Sequence, residues 1–364
     1  MKTIVVFSGP SGGHLFPAQS FAEAVHQDSS ATRIILVTSV RAQGLCSKFP
    51  AGIFSDIVYL PEFGTPIGLS AAGIRGLFSI PRAVWQSWQL LSRFRPDLVV
   101  GFGSFVSYFG VLFAVWRGIP TIIHEQNQFP GKATRMLQNK VKQIAVSFPE
   151  TEFKKTPSGS VVFSGLPIRK DIRDHVIFVE QKAAHPFTVL IVGGSQGSAF
   201  LNNAVLDAFS DLSAEERQQF AVIHITGKGQ ESSVSQRYQS LSIRAEVYPF
   251  FEAMPLVYNR AHMAISRAGA NSAFEQALYG IPTVFIPYPH AEGHQNNNAL
   301  YFVKAGGAMM HDQNEKASGW IAGVLRDWVK RPEAYTRASQ KMRELACGNG
   351  HEQLWALAQK TVNQ

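Results

Sequence analysis

Six short stretches of the chain gather residue types that bind anions and sugars. Gly9-Pro10-Ser11-Gly12-Gly13-His14 and Gly193-Gly194-Ser195-Gln196-Gly197-Ser198 are glycine-rich turns, each directly after an apolar run. Glycines let backbone approach a ligand, and a following helix start would present N–H groups and partial positive charge to an anion. Neither turn matches the dinucleotide fingerprint G-x-G-x-x-G, and neither ends in the Gly-Lys-Ser/Thr of a P-loop. Either could be a tight turn and no more. A third stretch, Ser266-Arg267-Ala268-Gly269-Ala270-Asn271-Ser272-Ala273-Phe274-Glu275, leaves a strand through small residues. Asn271 or Ser272 can cap a helix there whose N-terminus faces a diphosphate. Glu275, one turn further in, could accept two hydrogen bonds from a ribose diol, or could be a solvated helix residue. The fourth stretch, Pro287 to Ala299, is dense in amides and imidazoles suited to sugar hydroxyls. Its His290 and His294 lack a clear third ligand, so no metal is expected. His124-Glu125-Gln126-Asn127 and Gly101-Phe102-Gly103-Ser104-Phe105 each end an apolar strand, where open α/β sheets bind ligands, and would line one edge of a cleft.

The elements that carry these stretches alternate as β and α. Candidate strands are Thr3–Phe7, Arg33–Thr38, Leu98–Gly101, Thr121–His124 and Gln143–Ser147, then Thr188–Val192, Val222–Thr226, Glu246–Pro249, Met263–Ser266 and Thr283–Ile286. A helix from about Pro17 to Gln27 follows the first turn. A Lys-, Ser-, Pro- and Gly-rich break over Pro149–Arg173 separates two halves that open alike. With 364 residues, 45% of them hydrophobic and 16% charged, the chain is expected to form two doubly wound, Rossmann-like α/β domains facing across a cleft. The first would span 1–165, with a C-terminal helix over about 345–364 packing back on it; the second would span 166–344.

A net charge of +8 calls for an anionic partner, yet no basic run, zinc-finger spacing or RNA-binding motif supports nucleic acid. Two scattered cysteines, Cys46 and Cys347, fit a reducing compartment. No apolar run approaches the roughly 20 residues that span a bilayer. Thr3–Phe7 reads as a buried strand, not as a signal peptide, so the chain is expected to be cytoplasmic. In Ile74–Phe94, Leu77, Phe78, Trp85 and Trp88 mix with Arg75, Arg82 and Arg93, a pattern that suits an anionic membrane surface or, in its later part, ordinary core.

In order and spacing, Gly12-Gly13-His14, His124-Glu125-Gln126-Asn127, Gly193-Gly194-Ser195-Gln196-Gly197 and His294-Gln295-x-x-Asn298-Ala299 closely resemble the MurG family over essentially the whole chain. The resemblance implies a GT-B fold and an inverting transfer of N-acetylglucosamine from UDP-N-acetylglucosamine to the 4-hydroxyl of the muramyl sugar of lipid I, the undecaprenyl-diphosphate-linked muramyl-pentapeptide. The product, lipid II, feeds peptidoglycan synthesis and hence cell shape and division. The resemblance further implies no cofactor and no Asp-x-Asp metal motif (none is present), peripheral attachment to the cytoplasmic face of the plasma membrane, and possible cell-wall synthesis partners. Ser11, Gly12, Gly13 and Asn127 fall on positions assigned to the donor sugar and cleft, and Arg169 and Ser195 on positions near the diphosphate. Phe251 falls where backbone meets uracil. Ala270, Asn271, Ser272, Ala273, Phe274 and Glu275 fall on the turn holding ribose and diphosphate, and Gln295 on a sugar-hydroxyl contact. Three positions depart: Gly9-Pro10-Ser11 where the family usually has Gly-Gly-Thr, Leu166 for Asn, and Phe105 for Tyr. The last removes a hydroxyl from the acceptor side.

His14 is the leading candidate for the base that deprotonates the attacking hydroxyl, since imidazole titrates near operating pH. Glu125 as base, or His14 as a diphosphate ligand only, are the alternatives. Three other functions fit the architecture: a GT-B enzyme with another acceptor, a UDP-sugar epimerase needing the donor alone, and a non-catalytic nucleotide-sugar-binding subunit.

Overall fold

Strand β1 (Thr3–Ser8) is apolar on both sides because both sides are covered. Ile4 and Val6 enter one core with Leu15, Phe21 and Leu354, while Val5 and Phe7 enter another with Val106, Val111 and Phe113. That double burial is the condition of a parallel sheet between two helix layers. In this computed structural model, residues 2–61, 71–177, 186–194, 196–289 and 293–363 are described, with backbone alone for 71–80, 83 and 332. Contacts divide the chain into two compact units, Met1–Lys170 with Gly348–Gln364, and Asp171–Cys347.

The first unit holds a seven-stranded parallel sheet of order β3-β2-β1-β4-β5-β6-β7. Its other strands are β2 (Arg33–Ser39), β3 (Asp56–Leu60), β4 (Leu98–Phe102), β5 (Thr121–Glu125), β6 (Gln143–Val146) and β7 (Ser160–Phe163). The second unit holds six parallel strands ordered β10-β9-β8-β11-β12-β13. They are β8 (Phe187–Val192), β9 (Phe220–Ile225), β10 (Arg244–Tyr248), β11 (Met263–Ser266), β12 (Thr283–Phe285) and β13 (Ala308–Met310). Each sheet reverses its winding once, between β1 and β4 and between β8 and β11, and ligands of such sheets bind at the strand ends there. Both units are Rossmann-like, and together they make the GT-B fold. Three strands absent from the sequence reading, β3, β7 and β13, are sheet edges of only three to five residues, and β7 falls inside the segment read as the Pro149–Arg173 break.

The helix Gly12–Asp28 begins five residues earlier than expected, and Pro17 lies inside it. The Ser11 carbonyl accepts from His14 and Leu15 N–H, so the first turn closes before the proline, which deprives only the Gly13 carbonyl of its donor. The last helix, Gly350–Val362, belongs to the first unit. Its Trp355 packs edge-on against Phe21 and donates to Asp28 Oδ2 at 3.1 Å. Gly350 makes this crossing possible, since a Cβ there would lie 2.5 Å from the Leu166 carbonyl oxygen. Among the described residues no helix is long and apolar enough to cross a membrane.

Candidate functional site

In the first unit the reversal point is built around His14. Pairing of Phe7 with Gly101 and of Ser8 with Phe102 sets the loop after β1 beside the loop after β4. The His14 ring then lies against two glycines. A Cβ on Gly103 (φ +65°) would approach the ring to 2.7 Å, and one on Gly9 to 3.1 Å. Ser11, the residue before the helix, caps nothing with its side chain, and its hydroxyl meets His14 Nδ1 at 2.9 Å. Desolvation lowers the His14 pKa from its ordinary 6.5 to about 4, so the half-buried ring is neutral at pH 7. Ser11, Gly12, Gly13 and His14 are thus brought together, with Asn127 half exposed at the end of β5.

The other residues of the β5 motif are turned inward. His124 is fully buried, and its pKa is lowered to about 4, first by desolvation and then by His14. Glu125 is also buried. Its Oε1 accepts from Asn127 N–H (3.0 Å) and Nδ2 (3.2 Å), and its Oε2 from Gly131 N–H (2.9 Å) and the Thr134 hydroxyl (2.6 Å). A carboxylate so committed shapes the 126–134 loop and is a poor candidate for a mobile proton acceptor. The expectation that the whole motif lines a cleft edge is therefore narrowed to Asn127, because His124, Glu125 and Gln126 are buried and Glu125 is taken up in ordering its own loop. Arg169 falls in the first unit, beyond the 1–165 boundary drawn from sequence. The Ser20 hydroxyl donates to the Ile168 carbonyl (2.7 Å), and Lys170 N–H donates to Glu23 Oε2 (2.8 Å). The guanidinium between them lies 4.1 Å from the centre of the Phe16 ring.

In the second unit the reversal point joins the turn after β8 to the helix Ala270–Leu278. The N-cap is Gly269, with no side-chain cap. Asn271 and Ser272 sit in the first turn rather than at its head, a correction to their expected capping role, because the chain coils sooner, at Ala270, with Gly269 as the N-cap. An uncapped helix start of this kind suits an anion. Ala273 and Phe274 are core residues; Phe274 packs edge-on against Phe302 at 5.3 Å, and Ala273 N–H is bound to the Gly269 carbonyl. Those two offer a ligand no polar group of their own. Glu275 is buried, with Oε2 accepting from the Tyr258 hydroxyl at 2.9 Å, which fixes its rotamer. Gln295 Oε1 accepts from Ala268 N–H (3.2 Å) and Tyr288 N–H (3.0 Å), leaving its amide NH2 to donate. Phe251 follows β10, half buried, with its ring 4.8 Å from that of Tyr248. Ser195, His290 and Glu292 lie outside the described residues.

One residue that the sequence reading passed over, Arg267, ties this half-site together. It is 8% exposed and donates to the carbonyls of Ile286 (2.8 Å) and Pro287 (3.2 Å), to the Ser198 hydroxyl (2.7 Å) and to Gln313 Oε1 (2.7 Å). Ser198 in turn caps the helix Ala199–Ser210 by accepting from Leu201 N–H. The available signal was an arginine set among small residues directly after a strand.

Buried neutral histidines also set an acid limit on stability. His14 and His124 have pKa values lowered to about 4, and His224 to about 3. The unfolded chain takes up these protons near pH 6.5 and the folded chain does not, so stability is intact above pH 6.5 and falls as pH drops toward 4. The limiting slope is about 1.4 kcal/mol per pH unit for each histidine, less for the partly exposed His14. Urea unfolding should give a clearly lower midpoint at pH 5 than at pH 7.5; equal midpoints would refute neutral burial.

Comparison with known proteins bears on both units. Residues 4–146 match the glycosyltransferase family 28 N-terminal domain, and residues 188–353 the glycosyltransferase family 28 C-terminal domain. The chain is 32% identical, over 99% of both chains, to the UDP-N-acetylglucosamine–N-acetylmuramyl-(pentapeptide) pyrophosphoryl-undecaprenol N-acetylglucosamine transferase of Phenylobacterium zucineum. The crystal structure of Acinetobacter baumannii MurG superposes with a TM-score of 0.78 at 26% identity, covering 99% of this chain and 100% of that one. A putative UDP-N-acetylglucosamine 2-epimerase from Listeria monocytogenes shares the fold at a TM-score of 0.71 but only 11% identity, over 100% of this chain and 97% of that one. With both halves of the family matched in order and a relative aligned end to end, the chain belongs to the MurG family of glycosyltransferases.

Proposed function

We propose that the chain transfers N-acetylglucosamine from UDP-N-acetylglucosamine to the muramyl sugar of lipid I, with inversion, to give lipid II. The end-to-end kinship carries this reading, and the two half-sites supply parts suited to it. The donor belongs to the second unit. The N–H groups opening the helix Ala270–Leu278 and the glycine-rich turn after β8 face the diphosphate, with Ser195 as a further ligand and Arg169 as one contributed by the first unit. Glu275 takes the ribose diol, Phe251 backbone the uracil, and the Gln295 amide a sugar hydroxyl. Helix termini and a guanidinium stabilise the charge growing on the leaving UDP without proton transfer. The first unit supplies the base. With His14 Nδ1–H donating to the Ser11 hydroxyl, the lone pair lies on Nε2. That nitrogen takes the proton of the attacking 4-hydroxyl as the new glycosidic bond forms and the anomeric C–O bond to UDP breaks. Ser11, Gly12, Gly13 and Asn127 hold the sugar.

The test is an assay with radiolabelled UDP-N-acetylglucosamine and a lipid I analogue. Labelled lipid product is expected, dependent on acceptor. UDP release without acceptor would point to epimerase-type chemistry, and donor binding without turnover to a non-catalytic subunit.

The first unit also carries a surface suited to the cytoplasmic face of an anionic membrane. Within the helix Ala71–Phe94, Leu90 and Leu91 are core, whereas Trp85 and Trp88 are 60% and 43% exposed. Trp116, 67% exposed, closes the helix Ser104–Trp116, and Phe113 bridges it to Trp88 with ring centres 5.4 and 5.8 Å away. Arg117 lies 3.7 Å over the Trp88 ring, and Arg82 and Arg93 are exposed on the longer helix. The side chains of Leu77 and Phe78 lie outside the described residues. Amphipathic, basic and tryptophan-bearing surfaces bind anionic interfaces. Replacing Trp85 and Trp116 together by Ser should weaken co-sedimentation with anionic phospholipid vesicles about tenfold; undiminished binding would discard this surface.

A further inference from the structure

Behind the glycine-rich turn of the second unit runs a buried chain of polar groups to which the reaction assigns no part. Tyr238 in the helix Glu231–Ser240, His224 on β9 and Asn202 in the helix Ala199–Ser210 are all 1% exposed or less. The Tyr238 hydroxyl meets His224 Nδ1 at 2.9 Å, His224 Nε2 meets Asn202 Oδ1 at 3.0 Å, and Asn202 Nδ2 donates to the Thr226 carbonyl at 3.1 Å. The direction of every proton follows from the last contact. A carbonyl can only accept, so Asn202 must aim its NH2 at Thr226 and its oxygen at His224. His224 therefore carries its proton on Nε2. Desolvation holds the ring neutral, so Nδ1 accepts and Tyr238 donates.

The chain ends where the phosphate-loop candidate is most constrained. Gly197 (φ +73°) packs directly on Gly227 (φ +89°), and a Cβ on Gly197 would sit 2.3 Å from the Thr226 carbonyl oxygen and 2.6 Å from the Gly227 Cα. Asn202 holds the same Thr226 carbonyl, and its own N–H is bound to the carbonyl of Ser198, the residue that Arg267 grips. The turn after β8 is thus seated on the turn after β9 by two glycines in van der Waals contact and by one amide that the Thr226 carbonyl and the His224 Nε2–H hold between them.

We propose that Tyr238, His224 and Asn202 act as a positioning relay that holds the glycine-rich turn around Gly197 in the shape that receives the donor's diphosphate. The relay touches no reacting atom; its effect falls on donor affinity. The proposal rests on the functional reading above, and its test uses UDP binding so that the two can fail separately.

His224→Gln keeps an N–H donor near the place of Nε2, and His224→Asn keeps only a group near Nδ1. Titration calorimetry with UDP, donor and acceptor KM, kcat, and urea midpoints would be measured for both. For His224→Asn, the UDP Kd and donor KM should rise about tenfold, while kcat and acceptor KM stay within about twofold. His224→Gln should stay within about threefold of the parent in all four. Equal impairment of the two variants, or unchanged UDP affinity in His224→Asn with only a lower urea midpoint, would overturn the relay and leave a structural network. Should His224→Asn fail to fold, Tyr238→Phe serves instead. It removes only the hydroxyl that donates to His224 Nδ1 and holds the ring in place, and should weaken UDP binding at least threefold; unchanged affinity overturns the proposal. A parent chain that binds no UDP would overturn the functional reading itself.

Discussion

His14→Ala is expected to lower kcat by about 10²- to 10⁴-fold while leaving the Kd for UDP-N-acetylglucosamine within about twofold. The split follows from where the ring sits. It projects from the first turn of the helix Gly12–Asp28 in the first unit, whereas the residues assigned to uracil and ribose are in the second. Its pKa of about 4 keeps it unprotonated at neutral pH, so it contributes no standing positive charge to diphosphate binding, and its removal costs the donor little. The alternative base is disfavoured on independent grounds, because all four hydrogen bonds to Glu125 come from protein donors that order its loop. His14→Gln keeps most of the volume packed against Gly9 and Gly103, and so separates lost chemistry from a collapsed pocket. Rates and donor affinities measured for both variants decide the role. Parallel losses in kcat and Kd would make His14 a binding group.

Arg267→Met should be the most damaging single change in the second unit. It should cost about 3–5 kcal/mol of stability by urea unfolding and weaken UDP binding by tenfold or more. Four acceptors lose their donor together: the Ile286 and Pro287 carbonyls, the Ser198 hydroxyl and the Gln313 amide oxygen. Three loops of the donor half-site then lose their common tie. Lysine should not rescue, since a single ammonium cannot reach the same acceptors in the guanidinium's forked geometry. A variant as stable as the parent and with unaltered UDP affinity would show that packing alone seats these loops.

Much of the architecture was legible because central strands are buried on both faces. β1, β4, β8 and β11 read as largely apolar runs, and the glycine-rich turns after them stood out as ligand-binding candidates, while strand order, and with it the reversal points, came from the sheet pairing. Of the four edge strands only β10 was legible. β7 is Ser160–Phe163, four residues with nearly every side chain outside the core, set in a Lys-, Ser- and Pro-rich segment that reads as a break, so its pairing with β6 is what reveals it as a strand. The Ile74–Phe94 segment was ambiguous for a related reason: periodicity marks an apolar face but does not say what covers it. Packing puts Leu90 and Leu91 inside and leaves Trp85 and Trp88 outside.

The sequence by itself determined the two parallel α/β halves, the helix starts that suit anions, and the list of polar residues at strand ends. These follow from local chain chemistry: β-branched runs, glycine's conformational freedom, and side chains with donor or acceptor atoms. The tertiary structure decided what each polar residue does. His14 and His124 both follow apolar runs, yet one stands at a loop surface beside Ser11 and the other is sealed beneath it. Glu125 and Glu275 are both carboxylates in glycine- and amide-rich motifs, yet one is held by four protein donors and the other is oriented by a tyrosine hydroxyl. Arg267 looked incidental until three distant loops met on its guanidinium. A buried polar group must find its partners, and those partners come from residues far away in the chain, where local pattern carries no information about them.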